Sequence, residues 1–254
     1  MDLSVIIPAF NEEKRLPATL RRVISYLSST RAEWEVIVVD DGSRDGTARL
    51  VKDMSASGGK LRLVANLRNM GKGYSIRNGV LAADGRLILT TDADLSAPIE
   101  EMQILEEAIA AGAAVAIGSR AITGARLERR QPIYRECLGK MFNLFIRMVI
   151  LPEFLDTQCG FKMFIREAAK EIYSKCRLNG FATDVEALAI ARQLGYSIVE
   201  VPVRWSHANG SAIRPIADGL RMCKDVLDIS RRIRSEIRPG EGSSPEKRNR
   251  RGRI

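Results

Sequence analysis

Two aspartates stand one residue apart in the segment LILTTDADL, at Asp92 and Asp94. Carboxylate oxygens are ligands that Mg²⁺ and Mn²⁺ prefer, and these ions commonly bridge to phosphate oxygens. The same pattern is also common in polar loops, where the acids only cap a helix. Here it follows an apolar run and precedes Pro98, which suits the first turn of a helix. We therefore interpret Asp92 and Asp94 as ligands of a divalent metal ion.

Two other polar segments have residue types that can bind a nucleotide. The segment DDGS, residues 40–43, offers a carboxylate for a ribose hydroxyl or a base N–H, although these residues also form ordinary turns. The segment NLRNMGKG, residues 66–73, precedes a predicted helix, whose N-terminus can hold a base or a diphosphate. It lacks the GxxxxGK[ST] spacing of a P-loop, and the chain has no GxGxxG fingerprint, which disfavours a dinucleotide cofactor.

The elements that must position these residues follow from the alternation of apolar runs and amphipathic stretches in the first half. Predicted strands are residues 3–7, 36–39, 61–65, 87–90 and 114–117. We predict that Asn11 caps the first helix, with Glu12 and Glu13 in its first turn. The alternation is typical of an α/β fold, with a mainly parallel sheet covered by helices. The carboxyl ends of parallel strands share one edge, so residues 8–12, 40–41 and 92–94 should converge there.

The second half of the chain is less regular. Residues 134–151 are predicted to form an apolar helix, which belongs either in the core or, because cations are interspersed, in a membrane interface. Further predictions are a mixed loop or strand at 156–164, a helix from 183 to about 194, a strand at 197–203 and an amphipathic helix at 215–237. We divide the chain into a domain of residues 1–212, an amphipathic helix of residues 213–238 and a disordered basic tail of residues 239–254.

Positive charge is concentrated at the C-terminus. The formal net charge is +9, and residues 231–254 hold nine Arg or Lys against three Glu. A mildly basic body with a basic appendage argues against a nucleic-acid-binding core. Cations near a bilayer attract anionic lipids by roughly 1 kcal/mol each. An anionic membrane surface is therefore the favoured partner of the tail, and a solvated terminus is the alternative.

The cysteines and the hydropathy favour a cytoplasmic protein. The four cysteines are widely spaced without a CxxC pair, so neither a zinc site nor a disulfide framework is indicated. The apolar run near the N-terminus is short and is followed by acids, unlike a signal peptide. No stretch reaches the ~18 to 20 apolar residues of a membrane span. We expect a soluble or peripheral protein.

The motifs taken together resemble a known family. The order VIIPAFNEE, VIVVDDGSRDGT, RNMGKGYSIRNG, LILTTDADL and IGSR, over about residues 3–120, resembles the family 2 inverting glycosyltransferases with the GT-A fold. The later motifs DTQCGFK, GFATDVE and EVPV are similar to those of the polyprenyl-phosphate sugar synthases. DTQCGFK most resembles the dolichyl-phosphate β-glucosyltransferases, whereas the dolichyl-phosphate mannose synthases usually read SGFR at this point. The resemblance makes residues 1–120 the nucleotide-sugar half of the domain and residues 121–212 the acceptor half.

The resemblance implies an activity. It implies transfer of a hexose, glucose from UDP-glucose, to a polyprenyl or dolichyl phosphate, with Mg²⁺ or Mn²⁺, at the cytosolic membrane face. GDP-mannose as the donor and a soluble acceptor are the two alternatives within the family. A protein that binds nucleic acid through its basic tail is an alternative of another class, and the absence of aromatic residues from that tail disfavours it. The oligomeric state is left open.

The resemblance also assigns roles to residues. Those implied for the nucleotide and its diphosphate are Pro8, Phe10, Glu12, Asp40, Asp41, Arg68, Asn69, Lys72 and Asp92, with Asp92 and Asp94 on the metal. Arg120 would bind a donor or acceptor phosphate, and Asp156, Gln158 and Lys162 would face the transferring sugar. If the acceptor is a hydroxyl, Asp156 or Asp184 is the candidate general base.

Two residues of the second half have open interpretations. Glu186 either forms a capping box with Thr183 or belongs to the site. His207, the one histidine, lies either in an ordinary solvated loop or near the acceptor and the metal.

Overall fold

A computed structural model of the chain describes residues 1–56, 59–129, 131–207 and 215–237. Its strands are β1 Leu3–Ala9, β2 Trp34–Asp40, β3 Leu61–Ala65, β4 Leu87–Thr90, β5 Val115–Ser119, β6 Arg126–Arg129, β7 Lys162–Ile165, β8 Ile198–Pro202 and β9 Arg204–Ser206. Its helices are α1 Leu16–Thr30, α2 Thr47–Ser55, α3 Lys72–Ala82, α4 Met102–Ala110, α5 Ile133–Val149, α6 Arg166–Lys175, α7 Thr183–Gln193 and α8 Pro215–Ile237. A short 3₁₀ helix, Ile99–Glu101, leads into α4.

Seven strands form one sheet in the order β3-β2-β1-β4-β7-β5-β8. All neighbours in it are parallel except β7, which runs antiparallel to both β4 and β5. The predicted α/β fold with a mainly parallel sheet is confirmed. Strands β7 and β8 come from the second half of the domain, so the two predicted halves share this sheet.

The continuous apolar run of β1 is explained by burial on both faces of the sheet. Val5 and Ile7 pack in one core cluster, which includes Leu16, Leu20 and Val23 of α1. Ile6 between them points to the opposite cluster, which includes residues of α3, α6 and α7. A strand covered on both faces by helices has no polar face, and its sequence therefore does not alternate.

The start of α1 differs from the prediction. Asn11 does not cap this helix: it adopts a positive φ of 56°, and its side-chain carbonyl accepts a hydrogen bond from the backbone N–H of Arg44. The helix begins at Leu16 with Pro17 in its first turn, so Glu12 and Glu13 lie ahead of it. The backbone N–H of Glu12 donates to Thr47 Oγ1 instead. The segment after β1 thus packs on the start of α2 before the helix begins.

Helix α5 exposes most of its apolar side chains. Ile146 is the residue of this helix that is buried. The large apolar side chains it leaves exposed are Ile133, Tyr134, Leu138, Met141, Leu144 and Met148. Among the residues that the structure describes, no helix is both long enough and apolar enough to cross a membrane.

The last helix, α8, packs against α5 and α7. It spans Pro215–Ile237, inside the range 213–238 predicted for an amphipathic helix. The predicted tail, residues 239–254, lies outside the described residues.

Candidate active site

Three polar segments that follow strands lie beside one another at one edge of the sheet. Strand β1 pairs in parallel with β2 and β4, so the carboxyl ends of these strands are neighbours. The segments line a cavity of about 600 Å³, which we call the larger cavity. The predicted residues on its wall are Pro8, Phe10, Glu12, Asp41, Asn69, Lys72, Asp92 and Asp94. The structure therefore brings together side chains that are up to 86 positions apart in sequence.

A second cavity, of about 290 Å³, adjoins the first, and we call it the smaller cavity. Lys72, Asp92 and Asp94 line both cavities. Met222 also lines both cavities, and the rest of the smaller cavity combines cationic, polar and apolar side chains, among them Arg120, Arg135, Leu138, Phe142, Asn143, Gln158, Trp205 and His207. The Asp-x-Asp segment thus lies at the junction of two adjoining cavities.

An ion pair occupies this junction. Lys72 Nζ lies 2.6 Å from Asp92 Oδ1, and both side chains are partly exposed. Burial alone would raise the pKa of Asp92, but Lys72, Lys162 and Arg120 outweigh it and hold that pKa below its usual value. Asp94 Oδ1 accepts a hydrogen bond of 3.0 Å from the backbone N–H of Ser96. Asp92 is therefore ionised at neutral pH.

The two carboxylates fit a divalent ion in donor type and in placement. Asp92 and Asp94 offer hard oxygen ligands on the wall of one cavity. The ammonium of Lys72 already contacts Asp92, which shows that a positive charge can be accommodated at this carboxylate. In the described parts of the chain, no group of three or more His, Cys, Asp or Glu side chains could hold a metal. Such a site leaves coordination positions for phosphate oxygens and water, as Mg²⁺ sites at phosphates commonly do.

Asp156 is committed to Arg120. Arg120 Nε lies 2.6 Å from Asp156 Oδ2, Arg120 Nη2 donates to Oδ1 over 2.8 Å, and the Arg120 backbone N–H also donates to Oδ2. Burial alone would raise the pKa of Asp156, but Arg120 outweighs it and keeps that pKa low. The backbone N–H of Asp156 is itself held by Glu200. Asp156 therefore positions Arg120, and the predictions that it faces the sugar or acts as a base remain predictions for a carboxylate that is already paired.

Arg120 is further fixed by an aromatic ring. Its guanidinium carbon lies 5.4 Å from the centroid of Trp205, within the range of a cation–π contact. Arg120 lines the smaller cavity, as expected of a residue that binds a phosphate. An arginine held by a bidentate carboxylate and a ring has little freedom left, so its cationic group is pre-placed toward this cavity.

Lys162 and Asp184 form a third ion pair, and neither residue lines the two cavities. Lys162 Nζ lies 2.6 Å from Asp184 Oδ1 and also donates to the carbonyl of Cys159. Lys162 is completely buried and Asp184 nearly so. Lys162 is not among the residues that line either cavity, and its ammonium is paired inside the protein, so a position facing the transferring sugar remains a prediction. The carboxylate of Asp184, the other candidate general base, is likewise paired, with Lys162.

Asp41 shapes the loop beside it. Its Oδ1 accepts hydrogen bonds from Asn66 Nδ2 and the backbone N–H of Met70, and its Oδ2 accepts one from Gly71. The side chain of Asp40 acts elsewhere: its Oδ2 accepts from the backbone N–H of Ser43, and its buried Oδ1 has no partner among the described residues. Asp41 lies on the wall of the larger cavity, but its oxygens are engaged, whereas Asp40 retains an unused acceptor.

At the N-terminus of α3, several backbone N–H groups already have partners within the protein. The backbone N–H of Gly73 donates to the carbonyl of Asn179 over 2.8 Å, and that of Gly71 donates to Asp41. The loop instead reaches the larger cavity through Asn69, Gly71 and Lys72. Arg68 is exposed and is not among the residues that line either cavity.

Glu186 belongs to neither a capping box nor a cavity wall. Its buried carboxylate accepts hydrogen bonds from the backbone N–H groups of Arg177 and Leu178 and pairs with Arg232 of α8 at 2.5 Å. Ala182, not a side chain with an oxygen, is the N-cap of α7. Glu186 therefore fastens α8 to the rest of the fold, and the capping-box interpretation is wrong.

His207 lies on the wall of the smaller cavity and stacks on Trp205, with ring centroids 6.1 Å apart. His207 thus shares a cavity wall with Asp92 and Asp94, and its role stays open. Gln158 lines the same cavity, and its side-chain nitrogen is buried without a hydrogen-bond partner among the described residues. An unpaired donor at a cavity suits a ligand with hydroxyl or phosphate oxygens.

Several residues that line the two cavities were not predicted from the sequence. Arg15 and Arg221 line the larger cavity, and Arg135 and Trp205 line the smaller one. Arg15 follows the VIIPAFNEE motif and pairs with Glu12. Glu12 and Arg15 are three residues apart, a spacing at which opposite charges often pair, so this ion pair could have been predicted from the sequence. Nothing in the local pattern around Arg221 indicates that α8 folds back over a cavity formed by the first half.

Comparison with known proteins agrees with this architecture. The family model Glycosyl transferase family 2 matches residues 4–173. Dolichyl-phosphate β-glucosyltransferase of Mus musculus is 36% identical over 240 residues, which cover 89% of this chain and 74% of the relative. The enzyme of the same name from Saccharomyces cerevisiae is 32% identical and is covered to 73%.

Solved structures agree in fold. Glucosyl-3-phosphoglycerate synthase from Mycobacterium tuberculosis, in complex with Mn²⁺, UDP-glucose and phosphoglyceric acid, superposes with a TM-score of 0.68 at 20% identity. The match covers 90% of this chain and 79% of that one. The fold and the site define a nucleotide-sugar-dependent transferase, and the chain belongs to glycosyl transferase family 2. The relatives named above place it beside the dolichyl-phosphate β-glucosyltransferases of that family, as the sequence motifs predict.

Proposed function

We propose that this glycosyltransferase moves glucose from UDP-glucose to dolichyl phosphate or a related polyprenyl phosphate. The names of relatives that are 32–36% identical over most of the chain support the sugar and the acceptor. The UDP-glucose bound to glucosyl-3-phosphoglycerate synthase, a structural neighbour, supports the donor. The observation that carries the proposal is the junction of two adjoining cavities, each lined by both charged and apolar side chains, at Lys72, Asp92 and Asp94.

The larger cavity suits the donor. Its wall combines the ring of Phe10 with the cations Arg15, Lys72 and Arg221, which fit a base and a diphosphate. Mg²⁺ or Mn²⁺ held by Asp92 and Asp94 would supply neutralisation of the negative charge on the diphosphate leaving group. Lys72 adds positive charge at the same place.

The smaller cavity suits a phosphate that carries an apolar chain. Arg120 and Arg135 provide positive charge, whereas Leu138, Phe142 and Met222 provide an apolar wall. A phosphate acceptor is already an anion, so it needs positioning and charge pairing more than a general base. The engagement of Asp156 and Asp184 in ion pairs supports such an acceptor, because both candidate bases are occupied.

The exposed apolar face of α5 supports work at a membrane surface. Leu138 and Phe142 of this helix line the smaller cavity, while Met141, Leu144 and Met148 are exposed. A helix with such a face can lie in the plane of the bilayer interface. Peripheral binding to the cytosolic membrane face, aided by the basic residues of the C-terminal tail, is part of the proposal.

The test uses the full-length protein with labelled UDP-glucose, Mg²⁺ and a polyprenyl phosphate in detergent. The expected result is label that partitions into organic solvent. This transfer should be lost in Asp94→Asn and kept in Asp53→Asn, which removes an equal charge from an exposed site on α2. Parallel reactions with GDP-mannose and with phosphoglycerate test the other donor and a soluble acceptor. Preferential use of either would overturn the corresponding part of the proposal.

A further inference from the structure

The position that the proposed metal requires is held by a lysine. Lys72 Nζ lies 2.6 Å from Asp92 Oδ1, and the two side chains are 22% and 38% exposed. The Lys72 side chain is a cation at neutral pH, as lysines ordinarily are. A monovalent cation of the chain thus stands on a carboxylate that the proposed function assigns to a divalent one.

The backbone of Lys72 is fixed on both sides. Gly71 has a φ of +101° and donates its N–H to Asp41, while Gly73 donates its N–H to the carbonyl of Asn179. A Cβ at Gly71 would lie 2.3 Å from the Asn179 carbonyl oxygen. The hydrogen bonds of these two glycines therefore fix the backbone on both sides of Lys72. The side chain of Lys72 still has four rotatable bonds. The ammonium can move even though the residue cannot.

An ammonium and a divalent ion on the same carboxylate repel each other strongly, because their separation is short and the site is partly shielded from water. Binding of a divalent ion at Asp92 therefore requires Lys72 Nζ to leave. The displaced side chain still projects into the larger cavity, where a nucleoside diphosphate would attract it. Lys72 would thus pair with the diphosphate once the metal ion has bound to Asp92.

We infer that Lys72 acts as a resident cation that keeps divalent metal affinity low until a nucleoside diphosphate binds. The inference rests on the metal site of the proposed function. It predicts that metal and nucleotide strengthen each other's binding, and that part of this coupling depends on Lys72 in addition to the direct bonds between metal and phosphate. Coupling is reciprocal, so it is measurable from either ligand.

The test measures Mn²⁺ binding directly, by loss of the electron paramagnetic resonance signal of the free ion, in the absence of any nucleotide. Lys72→Met keeps the length of the side chain and removes its charge. We expect this variant to bind Mn²⁺ at least about fivefold more tightly than the wild type without nucleotide. Addition of UDP should then strengthen Mn²⁺ binding less in the variant than in the wild type. Lys72→Arg, which keeps a cation, should resemble the wild type.

Lys52→Met is the control for the change in net charge, because Lys52 is exposed on α2. It should leave Mn²⁺ affinity unchanged. Equal or weaker Mn²⁺ binding by a folded Lys72→Met protein would overturn the inference while leaving the metal site intact. Mn²⁺ binding that is insensitive to both Asp92→Asn and Asp94→Asn would instead show that the proposed metal site is wrong, and the inference would fall with it.

Discussion

Gly160 lies directly against the carboxylate of Asp92. A Cβ at Gly160 would lie 2.4 Å from Asp92 Oδ2 and 2.8 Å from its carboxyl carbon. Gly160 precedes β7 and Asp92 follows β4, and the antiparallel pairing of these strands brings the two residues together. The glycine of DTQCGFK therefore makes room for the first acid of the Asp-x-Asp segment.

Gly160→Ala should impair catalysis more than stability. The added methyl group displaces the end of a short side chain rather than backbone, so the fold can absorb it, but Asp92 moves away from its place. A misplacement of this size can reduce kcat/KM by about 10- to 100-fold. Steady-state kinetics and thermal unfolding of the same preparations test this. Unchanged kinetics in Gly160→Ala would show that the contact has no role.

Asp156→Asn should weaken the hold on Arg120 and alter the pH dependence of stability. A lost bond to a charged group costs about 2 kcal/mol in the free energy of unfolding. Arg120 lowers the pKa of Asp156 in the folded protein, so the stabilisation is complete above the unfolded pKa of about 3.9 and is lost as pH falls through the folded pKa. The stability difference between wild type and variant should therefore be constant from pH 5 to 7 and shrink below about pH 4.

Denaturant unfolding at several pH values measures that difference. In activity assays, Asp156→Asn should raise the KM for the phosphate acceptor more than the KM for the donor, because Arg120 lines the smaller cavity. A difference in stability that grows toward low pH would contradict the assigned ion pair.

Glu186→Ala should destabilise the protein without changing the chemistry. Removing one partner of a buried ion pair costs about 3–5 kcal/mol, and Glu186 also holds two backbone N–H groups. Arg232→Met should cost less, because Arg232 is partly exposed and Glu186 keeps its backbone partners. A double-mutant cycle by denaturant unfolding gives the coupling between the two. A loss of kcat in fully folded Glu186→Ala would contradict a purely structural role and indicate that Glu186 contributes to catalysis.

Met141→Glu and Leu144→Glu should weaken membrane binding. Both side chains are exposed, so their effect on the free energy of unfolding should stay within about 0.5 kcal/mol. Burial of such a side chain in an apolar phase contributes about 1.5–3 kcal/mol, so vesicle affinity should fall by about tenfold or more for each. Sedimentation with vesicles that contain anionic lipid measures it. Leu81→Glu, on the exposed side of α3, should bind vesicles as the wild type does.

The sequence predicted the main elements and the family, because their signals are local. The runs at β1 to β5 are apolar and bounded by polar turns, and the predicted strands β3 and β4 agree with the observed bounds. The convergence of the segments after β1, β2 and β4 followed from the geometry of parallel sheets. The direction of β7 did not, because four residues with an apolar pattern are compatible with either direction of pairing.

The individual roles of charged residues were much harder to predict. Lys162 and Lys72 are both lysines beside glycine-containing motifs, yet one is completely buried and the other reaches both cavities. Likewise, Asp40 and Asp41 are adjacent, but only three-dimensional contacts show that Asp41 holds a loop. Asn11 was misassigned because a left-handed turn and a helix cap favour the same residue types. The role of each of these residues depends on contacts with segments that are distant in sequence, which a local pattern does not reveal.

The insertion of β7 between β4 and β5 limits how this enzyme can be divided. A cut in the connection between β5 and β7 would leave the first fragment with a vacant slot in its sheet, between Thr90 and Ile117, which both pair with Lys162 of the second fragment. Neither piece would contain a finished catalytic centre. A split reporter built at this point would therefore turn on only after its pieces restored the missing strand, which makes assembly of the sheet the switch.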